Sequence, residues 1–336
     1  MIRILCTGDS HTWGQGASGL METFDPPAEA GERRLAGFVP GSYVNRLRRR
    51  AEQLTGASSR EWSAAELAKA GSLPFCAPFA LLTGRLTLPF SGALLRLEYA
   101  CSADPAAFTA AVDGVPVGGG ELPAQTRPID CRLLTVPLSE GAHTLTLSVT
   151  RGVLPLFRLE TYAGAVAVVN SGIGSCPCFR YRENHWDEMV AAVRPDVVLA
   201  EAHTINDWIA GDPPDVYEAR LTALLRDYAG LGAAVTLMTV SPIIGDQRWQ
   251  GGALYTDYTA AARRAAKAAD AVLCDANAVM TERLSCLSEA EKAEFLFDDP
   301  WHPNDRGHAL YAGFLTDSLI QQGILPESPD KSFAGA

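Results

Sequence analysis

The apolar run Ile2-Arg3-Ile4-Leu5-Cys6 has the length of a strand and stops abruptly at Thr7-Gly8-Asp9-Ser10. Similar short apolar runs recur at 165–169, 197–200, 235–240 and 271–274. They are too short for helices and lack the alternation of a half-wet strand, which is the pattern of strands covered on both faces. Between them the period becomes helical. Leu221, Leu224, Leu225 and Tyr228 share a face within 218–229, ahead of Gly230, and 257–269 is rich in Ala, Arg and Lys. A further helix is expected over 42–53, with Tyr43, Leu47, Ala51 and Leu54 on one stripe. A last helix begins near Asn304 and is expected to turn Leu310, Phe314 and Leu315 inward. Strand–helix alternation of this kind predicts an α/β fold, with about five parallel strands and helices on both faces.

From 74 to 162 the period changes to two. Leu86, Leu88 and Phe90 alternate with other residues, as do Leu95, Leu97 and Tyr99; Phe108, Ala110 and Val112; and Leu145, Leu147 and Val149. Asp113-Gly114 supplies a turn. Short half-buried strands separated by turns predict an antiparallel β-sandwich. No linker-like composition flanks it, so it reads as a domain inserted over 74–162 into a discontinuous α/β domain of 1–73 and 163–336. Residues 14–40, rich in Gly, Pro and charge, read as a long loop.

Composition narrows the function. An apolar fraction of 47% with 20% charged residues describes a soluble globular protein. The formal net charge of −11 argues against nucleic acid and anionic membranes as partners. The basic run Arg46 to Arg50 is too short to change that and reads as the wet face of a helix. No stretch has the length of a membrane span, and Asp9 interrupts the first apolar run before a signal peptide could form. Eight cysteines without regular spacing do not make a disulfide framework, and Cys176 and Cys178 lack two further ligands at metal spacing. Free thiols, no metal, no cofactor and a cytoplasmic location are therefore expected.

Ser10 ends its strand at the carboxyl edge of the predicted sheet, where open α/β sheets bind ligands. A serine nucleophile needs a base within hydrogen-bond reach and a carboxylate to orient that base. Of six histidines, His11 is too close in sequence to serve Ser10, His143 is placed on a turn of the insert, and His185 reads as a surface residue. His203 follows a strand end and could line a site. Asp299 to His302 and Asp305 to His308 form overlapping Asp-x-x-His spacings. The second falls inside the last helix, whereas Asp299 and His302 occupy a Pro-interrupted loop from which both can project, and are preferred. Oxyanion donors could come from the turn Asn170-Ser171-Gly172-Ile173-Gly174-Ser175 or from Asn206 in Thr204-Ile205-Asn206-Asp207. Both follow predicted parallel strands, so all these groups gather on one edge of the sheet.

In these four separated blocks the chain resembles the SGNH, or GDSL-type, hydrolases. Gly8-Asp9-Ser10 corresponds to the nucleophile block, with His11 where that family has Leu or Ile. The segment 170–175 keeps the Asn-x-Gly-Ile-Gly core, although the oxyanion glycine falls on Ser175, with Gly174 as an alternative donor. Asn206-Asp207 matches the asparagine block with Thr204 in the place of glycine, and Asp299-Pro300-Trp301-His302-Pro303-Asn304 matches the last block. The resemblance implies a flavodoxin-like three-layer fold. It implies Ser10 as nucleophile, His302 as base and Asp299 as its orienter. The N–H groups of Ser10 and Ser175 and the Asn206 side chain would bind the oxyanion. Asp207 and Trp208 are expected beneath the asparagine loop and Trp301 on the wall of the acyl pocket, so Asp207, Trp301 and His203 are the candidate substrate contacts. The insert resembles the small β-sandwich or jelly-roll domains joined to some carbohydrate esterases of that superfamily.

The substrate expected on this basis is a carbohydrate or similar small ester bearing a short acyl group, such as acetyl. A lipid or thioester hydrolase is the alternative, and it would need a long apolar channel. A glycan-binding protein with an idle site is the alternative from another class, and the joint presence of nucleophile, base, orienter and donors argues against it. The sandwich could also serve as an oligomer contact. Gly14-Gln15-Gly16-Ala17-Ser18-Gly19 fits a dinucleotide fingerprint, but it does not open a helix directly after the strand.

Overall fold

A computed structural model describes residues 1–20, 37–125, 131–245, 247–296 and 299–327, so 21–36 of the expected loop lie outside the described residues. The strands in chain order are β1 (Ile2–Gly8), β2 (Ser58–Ser63), β3 (Phe75–Cys76), β4 (Phe79–Leu82), β5 (Arg85–Ala100), β6 (Ala106–Val112) and β7 (Val115–Leu122). Then follow β8 (Cys131–Arg151), β9 (Leu154–Ala163), β10 (Val166–Gly172), β11 (Val197–Glu201), β12 (Ala234–Met238) and β13 (Val272–Cys274).

Five of these strands form a parallel sheet in the order β10-β1-β11-β12-β13. Its strands read as continuous apolar runs because both faces are covered. In β1, Ile4 and Cys6 join the core beneath the helices Tyr43–Thr55 and Asp305–Gln321. Leu5 joins the opposite core, packed with Leu221, Leu224, Tyr258 and Ala262 of the helices Pro214–Gly230 and Tyr255–Ala268. Helix boundaries follow local chemistry. Ser42 caps the first of these helices by accepting from the Asn45 N–H, and Gly56 ends it in a left-handed conformation. The last helix buries His308, Tyr311, Leu315 and Leu319, while Leu310 and Phe314 are half-buried, so its inward stripe differs from the expected one. Arg48, expected on a wet face, is buried over the Phe38 ring and bonded to Asn45 and Ser59.

The order places the second strand of this sheet outside the first, with the other three on the first strand's far side. Chain direction along the sheet therefore reverses between β1 and β11. In open α/β sheets the crevice at such a reversal, beyond the carboxyl ends of the strands, is where ligands bind.

The other eight strands are antiparallel and form one continuous sheet along β3-β4-β9-β5-β8-β6-β7, with β2 also paired to β9, rather than two separate sheets. The strand β2 comes from before residue 74 and was missed in the sequence. Asp113 and Gly114, both at positive φ, turn β6 into β7. The strand β5 shows why the alternation changes parity. Leu86, Leu88 and Phe90 and then Leu95 and Leu97 face the same core, although their numbering shifts from even to odd. A bulge between Gly92 and Leu94 adds the extra residue that keeps both runs on one face. Gly92 is required there: a Cβ would lie 2.4 Å from the Tyr162 carbonyl oxygen.

Beyond the bulge the other face of β5 packs on the parallel-sheet portion through buried charges. Arg96 pairs with Glu160 at 3.3 Å and donates to the Asn170 carbonyl at 2.9 Å and the Ser171 hydroxyl at 3.3 Å. Arg158 pairs with Glu98 at 2.6 Å and with Glu61 at 3.1 Å. Burial pushes the Glu98 carboxyl up to about 7, against the attraction of Arg158. The antiparallel sheet thus holds the backbone of the block that begins at Asn170. His143 lies within β8, not on a turn, and its Nδ1 is 2.7 Å from the Asp113 carboxylate. His185 is buried beside Tyr181 rather than lying at the surface. Among the described residues, no helix is long and apolar enough to cross a membrane.

Candidate active site

Ser10 opens a one-turn helix, Ser10–Trp13, directly beyond the end of β1. Two glycines make room for that turn. A Cβ on Gly8, which sits at φ +155°, would fall 2.2 Å from Thr12 Oγ1 and 2.5 Å from Glu201, and one on Gly172 would fall 2.3 Å from the Trp13 nitrogen. Asp9 caps the turn by accepting from the His11 N–H at 3.2 Å. Small residues end this strand because the nucleophile turn crosses the neighbouring strand at van der Waals range.

His302 meets Ser10 from the loop before the last helix. Its Nε2 is 2.7 Å from Ser10 Oγ and its Nδ1 is 2.7 Å from Asp299 Oδ2. A carboxylate only accepts, so the Nδ1 proton belongs to the Asp299 contact and Nε2 is left to accept from the serine hydroxyl. Asp299 Oδ1 also accepts the backbone N–H groups of Trp301 at 2.8 Å and His302 at 2.9 Å. One carboxylate therefore sets both the ring tautomer and the loop that carries the ring. Burial lowers the His302 pKa below the ordinary histidine value, although the Asp299 hydrogen bond opposes this. For Asp299, burial acts to raise the pKa, but the hydrogen bond and charge of His302 outweigh it and hold the carboxyl low. The base is thus neutral and ready below the usual histidine range. The acid limb of a kcat/KM profile should have its midpoint under about 6.5. Initial rates on a neutral aryl ester between pH 4 and 9 would check this, and a midpoint well above that value would contradict it.

The competing pair is committed elsewhere. His308 is buried, its Nδ1 accepting from the Tyr43 N–H at 3.3 Å and its Nε2 3.0 Å from the Gln15 carbonyl. Burial drops its pKa to about 3. Asp305 accepts the Ser18 N–H at 2.8 Å.

Of the expected oxyanion groups, Ser175 is exposed at φ +60°, a left-handed conformation that glycine would take without cost. Gly174 beside it is buried. Asn206 is half-buried on the helix Thr204–Ala210, and its Nδ2 donates to Asp9 Oδ2 at 2.7 Å, which uses one of the two N–H groups of that amide. Thr204, in the place of the glycine, bonds the Tyr217 hydroxyl at 3.2 Å.

Of the three expected substrate contacts, two are fully buried. Asp207 is fully buried and accepts the Cys178 N–H at 2.9 Å, and burial pushes its carboxyl up to about 7. His203 is fully buried with Nδ1 2.9 Å from the Cys176 carbonyl, and burial lowers its pKa. Both are held there by the way their turns close on the core. Trp301 is half-buried, stacked edge-on to Trp249 at 5.6 Å and to the buried Trp208 at 6.2 Å. Trp249, from the irregular segment after β12, was missed because no periodicity marks that segment. Asp9 and Glu201 were also missed as site-builders. Glu201 accepts the Asp9 N–H at 2.6 Å and the His203 N–H at 2.7 Å, joining the turns after β1 and β11. Burial, and then the charge of Asp9, raise its pKa well above the carboxylate range. A glutamate closing an otherwise apolar strand was the available signal.

Part of the chain matches a known family model, and its fold is shared with solved structures. A family model described as GDSL-like lipase/acylhydrolase matches residues 154–310, a span that holds the segment 170–175, Asn206, Asp299 and His302, while Ser10 precedes it. No curated protein sequence matches the chain. Among solved structures, a peptidoglycan O-acetylesterase shares the fold over 96% of this chain and 91% of its own, with 12% identity and a TM-score of 0.53. Axe2, an acetylxylan esterase from Geobacillus stearothermophilus, is 25% identical over 46% of this chain and 73% of its own, with a TM-score of 0.39. Residues 154–310, just under half of the chain, thus match the GDSL-like lipase/acylhydrolase family, which supports a carboxylic ester hydrolase.

Proposed function

We propose that the protein is a serine esterase that removes short acyl groups, acetyl foremost, from a carbohydrate or a similar small ester. It would do so through an acyl-enzyme on Ser10, built on a flavodoxin-like three-layer scaffold with an inserted sandwich-like sheet. The observation that carries this reading is the continuous hydrogen-bonded line from Ser10 Oγ through the His302 ring to the Asp299 carboxylate, each link 2.7 Å. Serine is inert at its free pKa and becomes a nucleophile when a neutral, oriented imidazole takes its proton. His302 accepts the Ser10 proton as the hydroxyl oxygen attacks the ester carbonyl, and then returns it to the departing alcohol. Water repeats the cycle in reverse and releases the acid. The Ser10 and Ser175 N–H groups and the Asn206 amide stabilise the oxyanion, with Asn206 held in aim by Asp9.

Trp301 and Trp249 support the choice of alcohol. They place half-exposed aromatic surface one residue from the catalytic imidazole, which suits the apolar face of a sugar ring. A fold shared with a peptidoglycan O-acetylesterase is in keeping with that reading. An acetate-release assay across acetylated sugars, acyl-CoA and lysolipids, with Ser10→Ala as blank, tests it. Acetate from the sugars alone is expected, and release only from the lipid or thioester would overturn the choice of substrate. Asn206→Ala should lower kcat by roughly 10² to 10³ with little change in KM. A change confined to KM would make Asn206 a ground-state contact only.

A further inference from the structure

We propose, resting on the esterase reading above, that His11 is a positioning residue whose ring holds the peptide between Trp301 and His302 and so keeps the His302 imidazole aimed at the Ser10 hydroxyl. His11 is fully buried. Its Nε2 lies 3.1 Å from the Trp301 carbonyl oxygen and its Nδ1 lies 3.1 Å from Asp9 Oδ1. The same peptide is held on its other side, where the His302 N–H reaches Asp299 Oδ1 at 2.9 Å. The two polar groups of one rigid peptide plane are therefore gripped from opposite directions, one by the acid–base loop and the other by the nucleophile turn. Asp9, to which His11 is tied, also accepts from Asn206 at 2.7 Å. The Asp9–His11 pair thus links the nucleophile turn to both the oxyanion amide and the base. Leu or Ile, which the resemblance puts at this position, has no donor to offer the Trp301 carbonyl, so this linkage is particular to a chain with histidine here.

The Trp301 carbonyl only accepts, so that contact is made with Nε2 donating. The His11 ring centroid is 5.2 Å from that of His302. Burial foremost lowers the His302 pKa, while the Asp299 hydrogen bond opposes that.

The test compares wild type, His11→Leu, His11→Gln, His11→Asn and Ser10→Ala on a short-chain aryl acetate, with circular dichroism to confirm folding. His11→Leu should lose roughly tenfold to a hundredfold in kcat with KM changed by less than about twofold. His11→Gln, whose amide reaches the Trp301 carbonyl, should recover most of kcat, and His11→Asn, which reaches only Asp9, should not. A folded His11→Leu with wild-type kcat overturns the proposal. If His11→Leu does not fold, equal kcat in the Gln and Asn variants overturns it. Retained activity in Ser10→Ala removes the esterase reading itself and this inference with it, whereas a dead Ser10→Ala beside an unaffected His11→Leu removes the inference alone.

Discussion

Ser10→Ala is expected to lower hydrolysis of a short-chain aryl acetate by roughly 10⁴ to 10⁶ in kcat while leaving the fold intact. The size of the loss follows from what the hydroxyl does. It is the atom that bonds to the acyl carbon, and nothing else along the line to Asp299 can replace it. The oxyanion donors survive in this variant, so a small residual rate over water is expected. Stability should change little, because Oγ does not cap the short helix, which Asp9 does. Kinetics alongside thermal denaturation separate the two effects. A variant that melts like wild type and turns over at its rate would remove Ser10 from the chemistry.

His302→Ala should be nearly as damaging, and His308→Ala should not. The two histidines are six positions apart and each lies three residues after an aspartate, yet their surroundings assign different work. His302 bonds the nucleophile and its orienting carboxylate. His308 bonds the Tyr43 N–H and the Gln15 carbonyl and lies parallel to the Tyr43 ring at 6.1 Å. Its removal leaves buried backbone groups unpaired and a void, at a cost of about 2–4 kcal/mol of stability. Expected, then, are a folded and inactive His302→Ala and a destabilised His308→Ala whose folded fraction still turns over. The reverse pattern would show that the other Asp-x-x-His carries the proton.

Much of this was legible because burial writes itself into pattern. The parallel strands announced themselves as short unbroken apolar runs, since residues such as Ile4, Leu5 and Cys6 meet a core on either face. The β5 and β8 residues announced themselves by alternation. The strand β2 did not, because in Ser-Ser-Arg-Glu-Trp-Ser only Trp62 enters the core. The capping box of Ser63 and Glu66, which starts the helix Ala64–Gly71, is the local signal that the sequence carries there. One continuous eight-stranded sheet was not legible either, because alternation shows that a strand has one dry face but not which strand lies beside it.

At the site, the groups that reach one another across nearly 300 residues were found through residue type and their position beyond strand ends. The second layer was not. Arg48, His185, His203 and Asp207 are polar residues that the sequence offers as surface or ligand contacts, yet they are buried, with Arg48, His203 and Asp207 each bonded to a partner distant in sequence. Nothing local to Arg48 reveals Ser59, and nothing local to His203 reveals the Cys176 carbonyl. His11 shows the same limit from the other side. Adjacency to Ser10 excluded it as the base, and only its 3.1 Å approach to Trp301, some 290 positions away, shows what it touches.

The claim that most of the account depends on is that Ser10 itself becomes acylated. Reaction of the intact protein with a fluorophosphonate, followed by proteolysis and mass spectrometry, reads this directly. The account predicts one adduct, on the peptide containing Ser10, formed in step with loss of esterase activity, slowed in Asp299→Asn and absent from Ser10→Ala. An adduct on a different residue, or full turnover by protein whose Ser10 is quantitatively modified, would contradict it.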